Sequence, residues 1–413
     1  MRSSRSHLVL SCLALLLGAG SCGGDGSAAG DSEVPGVDFE TKLIRIGIIN
    51  DLSGPAAAIG RPMQIGYETL YQQVNAGGSG LLPEGWTVQW VTRDHGYNPQ
   101  QSVQMYNEIS EEVLFLGMSF GTPTTLPLHP MLARDRMLAV PASLSSRTGR
   151  NEYTPPPTAT YRTEAMRAVD WAVEQAGPSV KIGIVYQQDD YGEDGVEGLE
   201  VEAEFHGVEI VSEQAIAPGQ ADFTAVVSAL QSAGAEYVML PILPSATGPL
   251  LGTAAQLGYR PVWMGSGPSW LDAFFDPAVI PPAVFENYYL VSSPPYWGEN
   301  VTGMPRFLEA YQTYGASEME PDSYIIAGYL FASLGIETAR RAIEAGYRTR
   351  EGLMSALRSI DGWDINGLYP PISLTSVPYD ATRQVRVTRP LMAERTWEVV
   401  SDYAAPLSDA GSG

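Results

Sequence analysis

From residue 43 onward one local pattern recurs in the chain: a short apolar run, a polar turn, then a stretch with apolar groups three and four residues apart. Its clearest copy is LIRIGIINDLSGPAAAIG, residues 43–60. The first half is rich in Ile and bounded by polar residues, as a strand buried on both faces of a parallel sheet must be. It stops at Asn50, Asp51, Ser53, Gly54 and Pro55, a dense turn cluster. Arg61-Pro62 then offers proline at a first helical position. Strand, polar loop and helix form the unit of an open α/β sheet, in which ligand crevices lie at the carboxyl ends of the strands.

The unit repeats. Further strands are predicted at 86–92, 114–118 and 137–140, with helices at 99–109 and 124–134 between them. A Pro- and Thr-rich stretch at 154–160 interrupts the alternation, which restarts with a helix at 164–175 and strands at 181–186, 208–211, 237–240 and 262–264. A strand at 288–291 follows, then helices at 304–314, 322–344 and 350–357, and an antiparallel tail at 385–392 and 396–400. A chain of 413 residues exceeds one ordinary core. The expectation is therefore an α/β protein with two doubly wound, Rossmann-like lobes.

The amino terminus has a different grammar. Arg2 and Arg5 precede an apolar run at 8–17, and Gly18, Ala19, Gly20 and Ser21 lead to Cys22. Basic, hydrophobic, small is the order of a signal peptide over 1–21, too short to span a bilayer. Cleavage before Cys22 would leave the mature chain one cysteine and no internal disulfide. A cysteine there resembles a bacterial lipobox, with Ala19 where Leu is usual, and this implies lipidation of Cys22. Ordinary signal-peptidase cleavage beside an incidental cysteine is the alternative. Residues 22–41, mostly small and acidic, read as a disordered tether, and 404–413 as a disordered tail.

Composition and motifs narrow the chemistry. Forty-seven acidic against twenty-four basic residues give a formal charge of -23, which repels nucleic acid and anionic lipid. The four histidines, His7, His95, His129 and His206, are scattered without helical metal-ligand spacing. The acidic run 189–195 lacks oxygen ligands at two calcium-loop positions, Gly192 and Val201. No phosphate-cradling glycine loop follows a strand, and Gly265-Ser266-Gly267 lacks the nucleophile-elbow spacing. No cofactor, no metal and no catalytic activity are expected.

What remains is a set of polar loops at predicted strand ends: Ser53 and Gly54; Gly121, Thr122 and Thr124; Ala142, Ser143 and Ser145; Tyr191; and 266–270. Hydroxyls and backbone N–H groups in such places can hold a carboxylate without a cation, and Tyr191 can cover an apolar part. Capping or turn formation is the competing role for each.

Taken in order, the loops resemble the periplasmic substrate-binding proteins of the branched-chain amino acid ABC transport family. The matching pieces are Ile46-Gly47-Ile48 with Leu52-Ser53-Gly54-Pro55 and Gly60, Val74-Asn75-Ala76-Gly77-Gly78, Arg93-Asp94 with Asn98-Pro99, Gly121-Thr122-Pro123-Thr124-Thr125, Asp190-Tyr191-Gly192 and Asp222-Phe223-Thr224. The resemblance implies a type I periplasmic binding fold, two lobes joined by three crossovers and closing over a small-molecule ligand. One lobe would hold 42–161 plus 288–366, the other 162–287 plus 367–403. It implies carboxylate-holding loops at Gly121-Thr122 and Ala142-Ser143, Tyr191 across the cleft, and cleft positions at Ser53, Ile59, Leu243, Gly267 and Trp270. Where amino-acid binders of the family place an aromatic and an acid for the ligand ammonium, this chain has Leu243 and Gly267. A buried ammonium without a counter-charge is unfavourable, so either another acid enters or the ligand carries no ammonium. Trp263 and Trp270 could wall an apolar ligand. The implied partners are the ligand and an ABC permease, with the membrane reached only through the lipid anchor and the receptor a monomer. The same fold also admits a sensor that signals to a membrane partner.

Overall fold

In a computed structural model of the protein, the structure describes residues 34–315 and 322–411. The signal peptide and Cys22 lie outside them. The chain builds two sheets. In the first, β2 (Leu43–Asn50), β3 (Thr87–Asp94), β4 (Phe115–Phe120) and β5 (Ala139–Ala142) run parallel in the order β3-β2-β4-β5, and short β1 (Val37–Asp38) pairs antiparallel with the start of β2. In the second, β6 (Lys181–Gln187), β7 (Glu209–Ile216), β8 (Tyr237–Leu240), β9 (Val262–Ser266) and β10 (Tyr288–Ser292) are parallel. The hairpin β11 (Val385–Leu391) and β12 (Thr396–Ala404) extends the edge, giving β12-β11-β10-β9-β8-β6-β7.

Helices cover both faces of each sheet, which is why the central strands β4 and β8 read as apolar runs, while β3 and β7, at the sheet edges, carry polar residues. On one face of the first sheet Ile44, Ile46 and Ile48 pack under the helices Ala57–Asn75, Met304–Tyr314 and Ser323–Glu344. Ile49 and Leu116 pack on the other face with Tyr106, Ile109 and Leu132. Two of the covering helices cross at glycines. A Cβ on Gly66 would meet the Ile325 carbonyl oxygen at 2.0 Å, and one on Gly328 the Met63 carbonyl oxygen at 2.0 Å, so only glycine lets the backbones approach. In both sheets the first-entered strand is central and its successor lies on the opposite side from the next. The crevice at that reversal, between β2 and β4 and between β6 and β8, is where an open α/β sheet accepts a ligand.

Several sequence expectations change. The first helix begins at Ala57 rather than at Arg61-Pro62, and Pro62 lies inside it. The turn that leads into it is tied by the Asp51 carboxylate, which accepts from the N–H groups of Gly54 at 2.6 Å and Ala56 at 2.8 Å just ahead of the first helical residue. The helix expected at 124–134 is split by Pro127 and Pro130 into Thr122–Thr125, a 3-10 turn and His129–Asp135. The tether expected up to residue 41 is already tied down within its described part, with β1 paired to β2 and the Gly36 carbonyl accepting from Arg45 N–H at 2.7 Å. The tail is not disordered from 404. Ala404 ends β12, the Leu407 N–H donates to Asp170 at 2.9 Å, and Ser408 N–H donates to Glu202 at 3.0 Å.

The division of the chain also shifts. Strand β10 hydrogen-bonds to β9 and β11, so residues 288–292 belong to the second sheet, not to the first lobe. Conversely Leu368, Tyr369, Ile372, Leu374, Tyr379 and Ala381 are buried in the same cluster as Ile44 and Ile46, so most of 367–381 packs with the first sheet. These side chains are apolar and follow the helix Arg350–Leu357 without a strand, so the passage back to the second sheet comes only just before β11.

Candidate functional site

A cavity of about 120 Å³ lies where the carboxyl ends of the two sets of strands face each other. On the first-sheet side it is lined by Gly121 and Thr122 after β4, Ala142 at the end of β5, and Ile59 from the helix Ala57–Asn75. Gly121 sits at φ +85°, and a Cβ there would meet Thr124 Oγ1 at 2.7 Å and the Tyr97 ring at 2.9 Å. Its N–H donates to the Ala142 carbonyl at 3.1 Å, and the Thr122 and Ser143 hydroxyls share a hydrogen bond of 2.7 Å. Two loops from adjacent strands are thereby fixed as one polar edge whose hydroxyls already have partners.

The second-sheet side is aromatic. Asp189 caps the helix Asp190–His206, accepting from Tyr191 N–H at 3.1 Å and Gly192 N–H at 3.2 Å, so the acidic run is a helix start. This turns Tyr191 into the cavity, with its hydroxyl on Ser266 Oγ at 2.6 Å and its ring 4.6 Å from that of Tyr161, another cavity residue. Leu243, Gly267 and Trp270 come from the loops after β8 and β9. Trp270 is 3 % exposed and is surrounded by Phe274, Phe275, Phe285, Tyr288 and Trp397, with ring centroids 4.8–5.4 Å away.

The two sides already touch. Tyr324, in the first turn of the helix Ser323–Glu344, donates its hydroxyl to the carbonyls of Gly267 and Trp270 at 3.1 and 2.9 Å. Beside it, Asp272 accepts from Ser323 N–H and Oγ, both at 2.8 Å, and from Trp270 Nε1 at 3.0 Å. The Gln187 side chain reaches the Tyr97 hydroxyl at 3.5 Å. The cavity is therefore a clasped cleft rather than an open one.

Its electrostatics are those of a nearly neutral, apolar space. Burial pushes the Asp272 carboxyl up, and burial followed by the nearby Asp272 pushes Asp322 up. Behind Gly267, burial raises Glu164 to about 8, against the lowering effect of the Gly267 N–H that donates to its Oε2 at 3.0 Å. Arg386 lines the far end, but its guanidinium is held by both oxygens of Glu299 and by the Pro294 carbonyl. The charge of this lining cation is thus already offset by Glu299, although its buried Nε has no hydrogen-bond partner.

Of the residues singled out from sequence, Ile59, Gly121, Thr122, Ala142, Tyr191, Leu243, Gly267 and Trp270 all line this one cavity. Ser53 does not: it is exposed on the turn after β2, beside Gly96. Ser143 is buried behind Thr122 and supports the edge from beneath. Trp263 packs in the second-sheet core against Tyr259, away from the cavity. Thr124 and Ser145 serve their own loops, Thr124 Oγ1 donating to the Phe120 carbonyl and Ser145 Oγ accepting from Arg147 N–H. Sequence reading missed Tyr97, Tyr161, Asp272, Tyr324, Arg386 and Trp397. Only Tyr324 carried a local signal, two residues after the helix-capping Asp322. The others reach the cleft from positions that chain order does not connect.

The histidines are not entirely scattered. His206 Nε2 lies 2.7 Å from Asp170, and Glu202 completes a cluster of metal-ligand type. Its oxygens already accept from Leu407 and Ser408, so the cluster ties the carboxyl-terminal turn to the helix Asp190–His206. His95 is buried, with Nε2 on the Phe120 carbonyl at 3.0 Å and Nδ1 accepting from Tyr97 N–H at 2.9 Å, while His129 is half-buried with Nε2 on Thr154 Oγ1 at 3.1 Å; burial lowers the pKa of both. His7 lies outside the described residues.

Two parallel sheets, a crevice at each topological reversal and a cavity shared between them define a two-lobed binding protein. The chain belongs to the periplasmic binding protein family, whose model matches residues 43–390. It is 26 % identical over 201 residues to Leu/Ile/Val-binding protein homolog 3 of Brucella melitensis, a match covering 47 % of this chain and 53 % of that protein. The chain thus spans about half the length of the curated relatives it matches. In structure it is similar to the fatty acid ABC transporter substrate-binding protein of Thermomonospora curvata, with TM-score 0.82 and 27 % identity, covering 91 % of this chain and 95 % of that one. It also shares its fold with a branched-chain amino acid ABC transporter protein of Thermus thermophilus with bound valine, at TM-score 0.80 and 20 % identity, covering 90 % and 100 %. By name the family and these relatives are binding and transport proteins. Among the described residues no helix is long and apolar enough to cross a membrane.

Proposed function

We propose that the protein is an extracytoplasmic receptor that captures a small carboxylate- or amide-bearing ligand between its two lobes and delivers it to an ABC permease. It works as a monomer, held at the membrane through a lipid on Cys22. The observation that carries the ligand class is the lining of the cleft. Hydroxyls and backbone groups at Gly121, Thr122 and Ala142 face an aromatic wall, and no ionised acid stands free where an ammonium would rest. An α-amino acid would bring a charge that this cleft does not match. An aliphatic or aromatic acid would place its tail against Tyr191 and Trp270. The Thermomonospora curvata relative, a fatty acid binder by name, points the same way.

A thermal-shift screen of purified protein tests this, with valine and leucine on one side and octanoate, benzoate and their amides on the other. Ligand at a hundredfold over its dissociation constant adds about 2.7 kcal/mol to stability, so a true ligand gives a clear rise in melting temperature. The acids or amides should shift the protein and the amino acids should not. A shift confined to amino acids would overturn the ligand class.

A further inference from the structure

Behind the cleft lies a buried acid that none of the roles above uses. Glu164 stands in the first turn of the helix Tyr161–Ala176 and is fully buried. Its Oε2 accepts from Gly267 N–H at 3.0 Å, while its Oε1 has no hydrogen-bond partner. Gly267 lines the cavity, and a Cβ built on it would meet Oε1 at 3.1 Å. The carboxyl therefore occupies the space into which a side chain at 267 would project. Position 267 has no side chain of its own, and an acid arrives there from another element.

A buried polar atom without a partner is unfavourable, and one placed beside a cavity-lining residue calls for a partner that the cavity can supply. We propose that Glu164 is a specificity-determining residue of the cleft, its Oε1 donating a hydrogen bond past Gly267 to an oxygen acceptor of the ligand, so that acids and amides are selected over ammonium compounds. This rests on the receptor reading above.

The direction of the hydrogen bond follows from the surroundings. The groups facing Glu164 are Tyr161 from its own helix, Asp194 and Tyr191 from the helix Asp190–His206, Tyr288 from β10, and Tyr369; none is a cation. Burial, with Asp194 nearby, raises its pKa to about 8, so at neutral pH it is chiefly the uncharged acid. The Gly267 N–H takes the carbonyl oxygen, Oε2, which leaves the hydroxyl on Oε1 as a donor. A carboxyl kept neutral by an apolar site so that it can donate is a known physical device. A ligand ammonium would instead need the carboxylate, in a place where nothing else offsets that charge once the ligand leaves.

The test uses calorimetric titration of the full chain with octanoate, benzoate and valine from pH 6 to 9. Wild-type protein should bind octanoate or benzoate at pH 6.5 and lose affinity above pH 8, where the donor proton is lost, approaching about tenfold per pH unit. Glu164→Gln keeps an N–H donor at the same place, so it should stay within about threefold of wild type at pH 6.5 and remain flat to pH 9. Glu164→Leu removes the donor and should weaken binding by about tenfold or more. Melting curves of the ligand-free variants separate loss of contact from loss of fold. Tight valine binding abolished in Glu164→Gln would make the residue an anionic partner and overturn the proposal. Equal affinity in wild type and Glu164→Leu would make it a buried structural acid and overturn it too. Failure of all three probes to bind wild type would overturn the receptor reading, and this inference with it.

Discussion

The two walls of the cleft are built on different physics. The first-sheet wall is made of loops in fixed backbone geometry, Gly121 against Thr124 and Tyr97, with hydroxyls paired to one another, Thr122 to Ser143 and Ser119 to Thr125. None of these groups titrates between pH 5 and 9. The second-sheet wall is a knot of rings around Trp270, with buried carboxyls behind it at Glu164 and Asp272. One wall gives direction through satisfied hydrogen bonds, whose net worth is small per bond. The other gives affinity through buried aromatic area and pH sensitivity through buried acids, of which Glu164 has one oxygen without a partner. If that contrast is right, the same size of mutation should hurt the two walls unequally.

The largest effect is expected at Trp270. Replacing it by Ala removes the ring that five others pack on, and should lower the stability of unfolding by about 3–5 kcal/mol, read by denaturant titration. Ligand binding should fall with it, because Tyr324 clasps the Trp270 carbonyl across the cleft and the loop would lose its anchor. A loss below about 1 kcal/mol would mean that the aromatic wall collapses around the gap and is far less rigid than its packing suggests.

How much of this contrast the sequence carried depends on whether a residue acts through its neighbours in the chain. The run 43–50, the helix Met304–Tyr314 and the helix Arg350–Leu357 are set by local periodicity and caps, and they stand where the sequence places them. Pro62 misled because the helix already starts five residues earlier, at Ala57, after a turn that the Asp51 carboxylate ties through Gly54 and Ala56 N–H. The strand Tyr288–Ser292 looked like the start of a return to the first lobe, but pairing is a property of partners, and its partners are β9 and β11. In the site, the polar loop residues of the first wall could be named from turn chemistry. On the second wall Tyr191 and the loop holding Gly267 and Trp270 could be named from their place after predicted strands, while Leu243 could be named only where the family pattern supplied the position. Glu164 was invisible because an acid in a first helical turn has an ordinary explanation in the helix dipole.

A smaller but sharper effect is expected on the first wall at Gly121. Alanine there must adopt φ near +85° and place its Cβ 2.7 Å from Thr124 Oγ1 and 2.9 Å from the Tyr97 ring. The substitution should cost about 1–3 kcal/mol. The loss should change little between pH 6 and pH 9, because Thr124 and Tyr97 do not titrate there and burial lowers the pKa of the neighbouring His95. A pH-dependent loss would show that the first wall is coupled to the acids of the second and would dissolve the contrast.

The smallest effect tests whether the hydroxyls of the first wall really satisfy each other. Thr122 Oγ1 and Ser143 Oγ are both buried and lie 2.7 Å apart. Ser143→Ala strands the Thr122 hydroxyl, and Thr122→Val leaves Ser143 Oγ only the longer bond from Ser145 N–H at 3.4 Å, so each should cost about 1 kcal/mol. In the double variant neither hydroxyl is left without a partner, so its loss should fall short of the sum by about 0.5–1 kcal/mol. Binding adds a second reading of the same cycle. A ligand head group that takes its hydrogen bond from Thr122 would be weakened by Thr122→Val and spared by Ser143→Ala, since Ser143 lies behind the wall. Equal weakening by both would mean that the pair acts as a unit, with Ser143 holding the Thr122 hydroxyl in the direction the ligand needs.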